Sequence, residues 1–296
     1  MKACPPRHAG PARGAALLLV LWLLLLLAGL IGGFALSARV ESMQGQALVR
    51  GVAANAIARA GLEYALTRVD DTDPRRRWTP DGRPFEWAYG GATLTVKLVD
   101  ENSKIDLNQS DLNLLAGLFS AAGEPADRSM QLAAAVLDWR DPDQLTQPGG
   151  GAEDPEYAAA GLPYGAKDAE LESVAELEQV LGMTPALYAK IEPYLTVHSG
   201  RAAPDPAFAP ALVLDAMGQD GSAVIAARGA SAARTDAATE GGAVVAAGSG
   251  TYSIESRARL VDGRESVLRA VVRVGANAVP GMAYTALRWE EGASSR

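Results

Sequence analysis

The sequence predicts an α+β protein in which a long N-terminal apolar helix joins an antiparallel sheet that is interrupted by a large helical insertion. Three observations lead there. Residues 15–38 form an apolar run of 24 residues without a charge. Residues 92–99, and again the stretches beyond 251, alternate polar and apolar side chains with β-branched enrichment, which is strand patterning. Between them, residues 110–195 carry apolar residues at helical spacing.

The apolar run comes first. At 1.5 Å per residue it reaches about 36 Å, enough to cross the hydrocarbon core of a bilayer. It is too long and too leucine-rich for the apolar region of an ordinary signal peptide. Lys2, Arg7 and Arg13 precede it with no acidic residue among positions 1–14. Such a basic flank favours a cytoplasmic N-terminus. The whole chain has a net charge of −8, so the remainder after those three basic residues carries −11. An acidic chain of this kind does not seek nucleic acid or anionic head groups. The single cysteine, Cys4, lies before the run, so no disulfide framework exists beyond it. The ~258 residues that follow suffice for one large or two small domains with real cores.

Helical spacing continues past the run. Val40, Met43, Ala47, Val52, Ala56, Ala60 and Leu66 recur every three to six residues, while Gln44, Gln46, Arg50, Asn55, Arg59 and Glu63 occupy much of the remaining surface. Asp70, Asp71, Asp73 and Pro74 stop the pattern. One helix over 15–70 would be roughly 80 Å long. Gly29 and Gly33 permit a close helix approach, a pair common in any apolar helix. Residues 78–91, with Pro80, Gly82 and Pro84, read as turns, and 92–99 as a strand. Helices are expected over 111–122, 128–139, 172–181 and 184–194. Ser110 and Thr184 are candidate N-caps, the latter followed by Pro185.

Residues 201–250 form a Pro/Ala/Gly-rich connecting segment with short helical patterns over 210–217 and 222–228. Strands over 251–260 and 265–275 flank Asp262-Gly263, a strong hairpin signal, and 283–289 is a third. The expected organisation is a stem helix over 15–70, an α+β domain from 71–102 and 251–296, and a helical insertion over 103–200.

One constellation carries chemistry. Asp138, Asp141, Asp143, Glu153 and Asp154 fall within 17 positions, around a helix stop at Pro142 and a glycine-rich loop at 147–152. The residues leave two readings open: a solvated acidic loop, or a cation site, since calcium takes six to eight oxygens in flexible geometry. No His or Cys stands near them, which disfavours zinc. The EF-hand spacing is not met. His8 and His198 are isolated, and no nucleophile motif or phosphate loop appears, so no catalytic residue is assigned and no enzyme is expected.

Arg13-Gly14-Ala15 followed by an unbroken apolar run resembles the N-terminus of type IV prepilins and type II secretion pseudopilins. That resemblance implies that a prepilin peptidase removes residues 1–14 between Gly14 and Ala15, and that the new N-terminus is methylated. Most members carry Glu at the fifth mature position, and here Leu19 stands there. Its absence is characteristic of one minor component, the general secretion pathway protein K family. The blocks Lys104-Ile-Asp-Leu-Asn108, Leu137-Asp-Trp-Arg-Asp-Pro-Asp143, Gly151-Ala-Glu-Asp154, Leu181-Gly-Met-Thr-Pro185 and Tyr194-Leu-Thr-Val-His-Ser-Gly200 are similar to those of that family.

The resemblance implies a pilin-like fold and a minor pseudopilin that starts and caps the pseudopilus tip. It implies as partners the other minor pseudopilins, the major pseudopilin, the prepilin peptidase, the inner-membrane secretion platform and inner-membrane lipid. It places the chain in the inner membrane as a single-pass protein with a periplasmic C-terminal domain. It also tips the acidic loop towards structural calcium, holding residues 141–157 against the preceding helix. A type IV pilus minor pilin is the alternative. A membrane-anchored helix-hairpin-helix DNA-binding protein is another, on the strength of Ile105-Asp-Leu-Asn-Gln-Ser110 and Val180-Leu-Gly-Met-Thr-Pro-Ala186. Residues 100–200 carry 18 acidic against 5 basic side chains, a field that repels DNA, so no nucleic-acid partner is expected.

Intact mass and N-terminal sequencing of the membrane-extracted protein should give a methylated start at Ala15 only when prepilin peptidase is active. A start at Met1 with active peptidase would make the run a simple anchor.

Overall fold

The computed structural model describes residues 15–237, 248–275 and 283–292. The leader and Gly14 lie outside them, as do residues 238–247 of the Ala/Gly-rich stretch. Residues 1–54 and 55–296 form two compact units. Helix α1, Ala15–Val69, contributes to both.

In the first unit, side chains 16–46 of α1 are all exposed, Leu19 among them at 71%. By length and composition this helix is able to cross a membrane. Leucine suits it twice, as a strong helix former and as an apolar surface.

The second unit begins at Asn55, and here α1 packs on the sheet through Ala58, Leu62, Ala65 and Val69, all buried. Of the recurring residues singled out in the sequence, Leu66 packs partly against this core, whereas Ala56 is exposed and Ala60 half-buried. In an Ala/Gly-rich helix nearly every face is small, so periodicity alone does not select the packed one. A Cβ at Gly61 would fall 2.3 Å from Ser256 Oγ and 2.6 Å from Leu94 Cδ2. Glycine therefore lets the helix backbone lie directly on the sheet. Arg68 paired with Asp71 at 2.6 Å closes the helix end.

The sheet has five antiparallel strands: β1 (Asp81–Tyr89), β2 (Ala92–Asp100), β5 (Thr251–Leu260), β6 (Glu265–Val274) and β7 (Tyr284–Gly292), in that spatial order. Strand β2 shows the expected alternation, burying Leu94, Val96 and Leu98 towards α1. Asp262-Gly263 turns β5 into β6, with Gly263 at φ +81°. Strand β1 lies where turns were expected. Pro84 is tolerated because β1 is an edge strand carrying a bulge between Asp81 and Pro84. Gly90 and Gly91, at φ +59° and +76°, make the tight return to β2. Stacking of Trp87 on Tyr64 at 4.1 Å and Phe85 on Trp78 at 4.3 Å seals that edge against the helix.

The chain leaves the sheet at Asp100 and re-enters beside it, because Asp100 and Tyr252 are cross-strand partners. An insertion between adjacent strand ends closes its loop at the sheet. Its elements are the two-residue strand β3 (Ile105–Asp106), α2 (Leu112–Ala121), α3 (Ala126–Arg140), α4 (Asp154–Ala159), α5 (Pro185–Ile191), β4 (Leu195–Thr196), α6 (Ala211–Ala216) and α7 (Gly221–Ala237). Strands β3 and β4 pair in parallel. Asp111, not Ser110, caps α2, its side chain accepting the Leu114 N–H at 2.8 Å. Thr184 caps α5 as expected, with Pro185 at the first turn. Residues 172–181 form a 3-10 turn, Val174–Gln179, in place of an α-helix.

A second core, separate from the sheet's, gathers Leu115, Leu118, Phe119, Leu132, Val136, Trp139, Tyr157, Leu177 and Ile191. Ala209, Val213, Leu214 and Ala216, from the segment read as connecting chain, complete it. Gly117 makes this possible: a Cβ there would lie 2.3 Å from the Ala216 carbonyl oxygen, so α6 rests on α2 backbone to backbone.

The two cores meet at Glu101, which is 1% exposed. Its carboxylate pairs with Lys104 at 2.7 Å and accepts hydrogen bonds from Ser253 Oγ of β5 and Thr196 Oγ1 of β4. Burial pushes Glu101 up, but Lys104 and these donors outweigh it and hold the carboxyl below its ordinary value. Removing one member of a buried pair leaves an uncompensated charge. Glu101→Ala should lower unfolding stability in urea by roughly 3–5 kcal/mol, strands Lys104 in the interior, and separate the melting of the two cores.

Candidate functional site

The acidic loop lies against the C-terminal end of α3. That helix ends at Arg140, and Asp141 sits just past it with extended backbone ahead of Pro142. Residues 141–153 then double back to reach α4. Gly151 permits the return, since a Cβ there would lie 1.9 Å from Asp138 Oδ2. Asp138 is fully buried, and its two oxygens share the Gln147 backbone N–H at 3.1 and 3.3 Å. Burial, partly offset by those backbone donors, pushes its carboxyl up.

Of the five carboxylates singled out in the sequence, Asp141, Asp143 and Glu153 converge, with one oxygen from each within 4.8 Å of the others. That separation suits oxygens around one calcium, because ligands on opposite sides at about 2.4 Å stand about 4.8 Å apart. Asp138 and Asp154 are outside this trio. Asp138 serves the loop's backbone. Asp154 faces the neighbouring segment, where a Cβ on Gly165 would lie 1.7 Å from its Oδ1.

Glu153 is the most informative member. It is 1% exposed, and neither carboxylate oxygen has a hydrogen-bond partner. Asp141 Oδ1 is likewise buried and unpartnered. A buried carboxylate without donors costs several kcal/mol. Burial, with Asp138, Asp141, Asp168 and Asp143 nearby, pushes Glu153 up to about 7.

Asp168 was not legible in the sequence. Its Oδ1 is buried without a partner, and its Oδ2 accepts from Gln144 Nε2 at 3.2 Å. It adopts φ +54°, the left-handed region that a non-glycine residue rarely enters. Separated by 14 positions from Asp154, it comes near Glu153 through the fold but is not one of the three carboxylates that converge. The donor set is therefore all oxygen, anionic and partly buried, and hard divalent cations such as calcium fit it best. His198 lies elsewhere, half-buried beside Glu101 and Arg273, and burial pushes it down.

The remaining motif is the hairpin at 180–184. Arg128 Nη2 donates to the Gly182 carbonyl at 3.1 Å, so the guanidinium engages the hairpin itself.

Comparison with known proteins adds three findings. A family profile described as "Type II secretion system (T2SS), protein K" matches residues 96–200. Type II secretion system protein K of Pectobacterium carotovorum subsp. carotovorum is 30% identical over 131 residues, 42% of this chain and 39% of that one. The protein of the same description from Klebsiella pneumoniae is 30% identical over 205 residues, 62% of each chain. The matched regions thus span about two fifths and about three fifths of these relatives' lengths. The fold is similar to a chain in the crystal structure of the GspK-GspI-GspJ complex from the enterotoxigenic Escherichia coli type 2 secretion system. The TM-score is 0.50 at 18% identity, covering 87% of this chain and 99% of that one.

The site makes a signed prediction for pH. Between about 4.5 and about 7 the folded protein holds a proton on Glu153 that the unfolded chain has lost. Without a cation, this group's contribution to stability falls as pH rises through that window. A cation needs the ionised form, so its stabilisation grows over the same range. Thermal unfolding with and without millimolar calcium should show a Tm gain that increases from pH 5 to 7.5; a gain independent of pH would contradict this assignment.

Proposed function

We propose, from the match of residues 96–200 to the type II secretion system protein K family profile, that the chain is a minor pseudopilin acting by assembly, without catalysis. The observation that carries this reading is where the matched helical domain sits: inserted between adjacent strands β2 and β5 of a sheet that packs on α1.

In this reading α1 anchors the chain once in the inner membrane, with the N-terminus cytoplasmic and the remaining domain periplasmic. Prepilin peptidase cuts between Gly14 and Ala15, and Ala15 is methylated. The partners are the minor pseudopilins corresponding to GspI and GspJ, then the major pseudopilin and the secretion platform. The chain starts the pseudopilus and remains at its tip. Leu19 supports that position. A carboxylate in hydrocarbon requires a partner, and a subunit with no neighbour ahead has none to offer.

Calcium is the second part of the proposal, and Glu153 is what favours it. Asp141, Asp143, Glu153 and the added Asp168 would hold the ion, which would tie the loop after α3 to the start of α4. Its chemistry is structural: it neutralises carboxylates that otherwise repel one another.

Leu19→Glu should insert in the membrane yet reduce secretion of type II substrates in a complementation assay, with weaker co-purification of the GspI and GspJ counterparts. Full secretion by this variant would remove the argument for the tip position.

A further inference from the structure

The cluster of carboxylates is joined to a second region of the helical domain by one side chain, Tyr157. It follows Glu153, the N-cap of α4, by four residues, and its backbone N–H donates to the Glu153 carbonyl at 3.2 Å, so one turn of backbone joins the two. Tyr157 is fully buried, and its hydroxyl accepts the backbone N–H of Leu181 at 3.0 Å. Leu181 belongs to the hairpin that links the 3-10 turn Val174–Gln179 to α5. The hairpin's backbone-to-backbone bonds are short-range, Val180 N–H to Leu177 O at 3.2 Å and Met183 N–H to Val180 O at 3.0 Å, and Arg128 Nη2 reaches its Gly182 carbonyl at 3.1 Å.

Helix α4 has six residues, too few to hold its place by helix propensity. Its position depends on what it touches. At one end the Tyr157 ring packs near Trp139 and Tyr164, with centroids 5.9 and 5.7 Å away. At the other end Glu153 presents two unpartnered oxygens to Asp141 and Asp143. Repulsion there works against the ring packing, and a bridging cation reverses its sign.

We propose that Tyr157 is a positioning residue through which ion binding at Asp141, Asp143 and Glu153 orders the hairpin 180–184. This rests on the calcium reading above. With the ion bound, Glu153 is drawn towards the end of α3, α4 is fixed, and the phenol is held where it accepts the Leu181 N–H. Without it, α4 is free to shift and the amide loses its acceptor. The ion site thereby controls the surface of the hairpin, over a path of one helical turn and one hydrogen bond.

Hydrogen–deuterium exchange on the full-length protein in detergent micelles tests this, with calcium against chelator and with calorimetry in parallel. In the wild type, calcium should slow exchange in peptides covering both 141–157 and 180–184, the latter by roughly tenfold, the scale of one hydrogen bond. Tyr157→Phe should bind calcium within about threefold of wild type. It should keep the protection at 141–157 and lose the calcium-dependent protection at the hairpin. Glu153→Gln, which leaves the tyrosine in place, should lose calcium binding and hairpin protection together. Calcium binding that protects 141–157 but leaves the wild-type hairpin unchanged would overturn the coupling and spare the calcium reading. So would Tyr157→Phe with undiminished hairpin protection. An absence of binding heat in the wild type would overturn the calcium reading itself, and the coupling with it.

Discussion

The burial of Glu101 is the constraint on which the arrangement of this molecule rests. A carboxylate removed from water costs several kcal/mol unless every lone pair is answered. Here the answers come from Lys104 nearby in the chain, from Ser253 on the sheet and from Thr196 at the return of the helical insertion. Those three positions span 149 residues of chain. Any rotation of the insertion against the sheet would strip donors from the carboxylate. The two cores are apolar and packed separately, so neither by itself specifies the angle between them; a buried, directional charge does.

From that joint outward, neighbouring polar groups repeat the arrangement. Asp100 accepts the Ser249 N–H at 2.7 Å, tying the exit strand to the chain just before β5. Asp106 accepts from Ser199 Oγ and Gly200 N–H, tying the start of the insertion to the chain just after β4. Acidic side chains thus clamp each crossing of the chain between sheet and insertion by taking backbone or hydroxyl donors. The acidity of residues 100–200 is in part structural, since several of these carboxylates are buried hydrogen-bond acceptors. The cluster around Glu153 differs in that both Glu153 oxygens and Asp141 Oδ1 are buried without donors. One population of carboxylates is satisfied by the protein, and the other holds buried oxygens that the protein leaves without donors.

The same separation of roles runs along α1. Over residues 16–46 its side chains are exposed and, through the apolar run, suited to lipid or to other helices. From Asn55 it becomes a core helix, with Ala58, Gly61 and Ala65 keeping its backbone close to the sheet. No change in secondary structure marks the transition; only the identity of the side chains does.

Several features were legible in the sequence because their cause is local. The apolar run, the alternation of β2, the Asp262-Gly263 turn and the Thr184 cap each follow from residues within one or two turns of chain. The converging carboxylates were legible as a group because α3, its stop and the glycine-rich loop are contiguous. Tertiary structure decided the rest. Strand β1 exists because β2 pairs with it and because Tyr64 and Trp78 stack on its aromatic residues, and this overrides Pro84. The β3–β4 pair joins residues about 90 positions apart, which no periodicity records. Which carboxylates converge, with Asp138 held by the Gln147 N–H, Asp154 outside the trio and Asp168 brought near Glu153, follows from how the loop folds back and not from spacing. Residue patterning determined which segments form and how they begin and end; long-range hydrogen bonds and buried charge decided which of them meet.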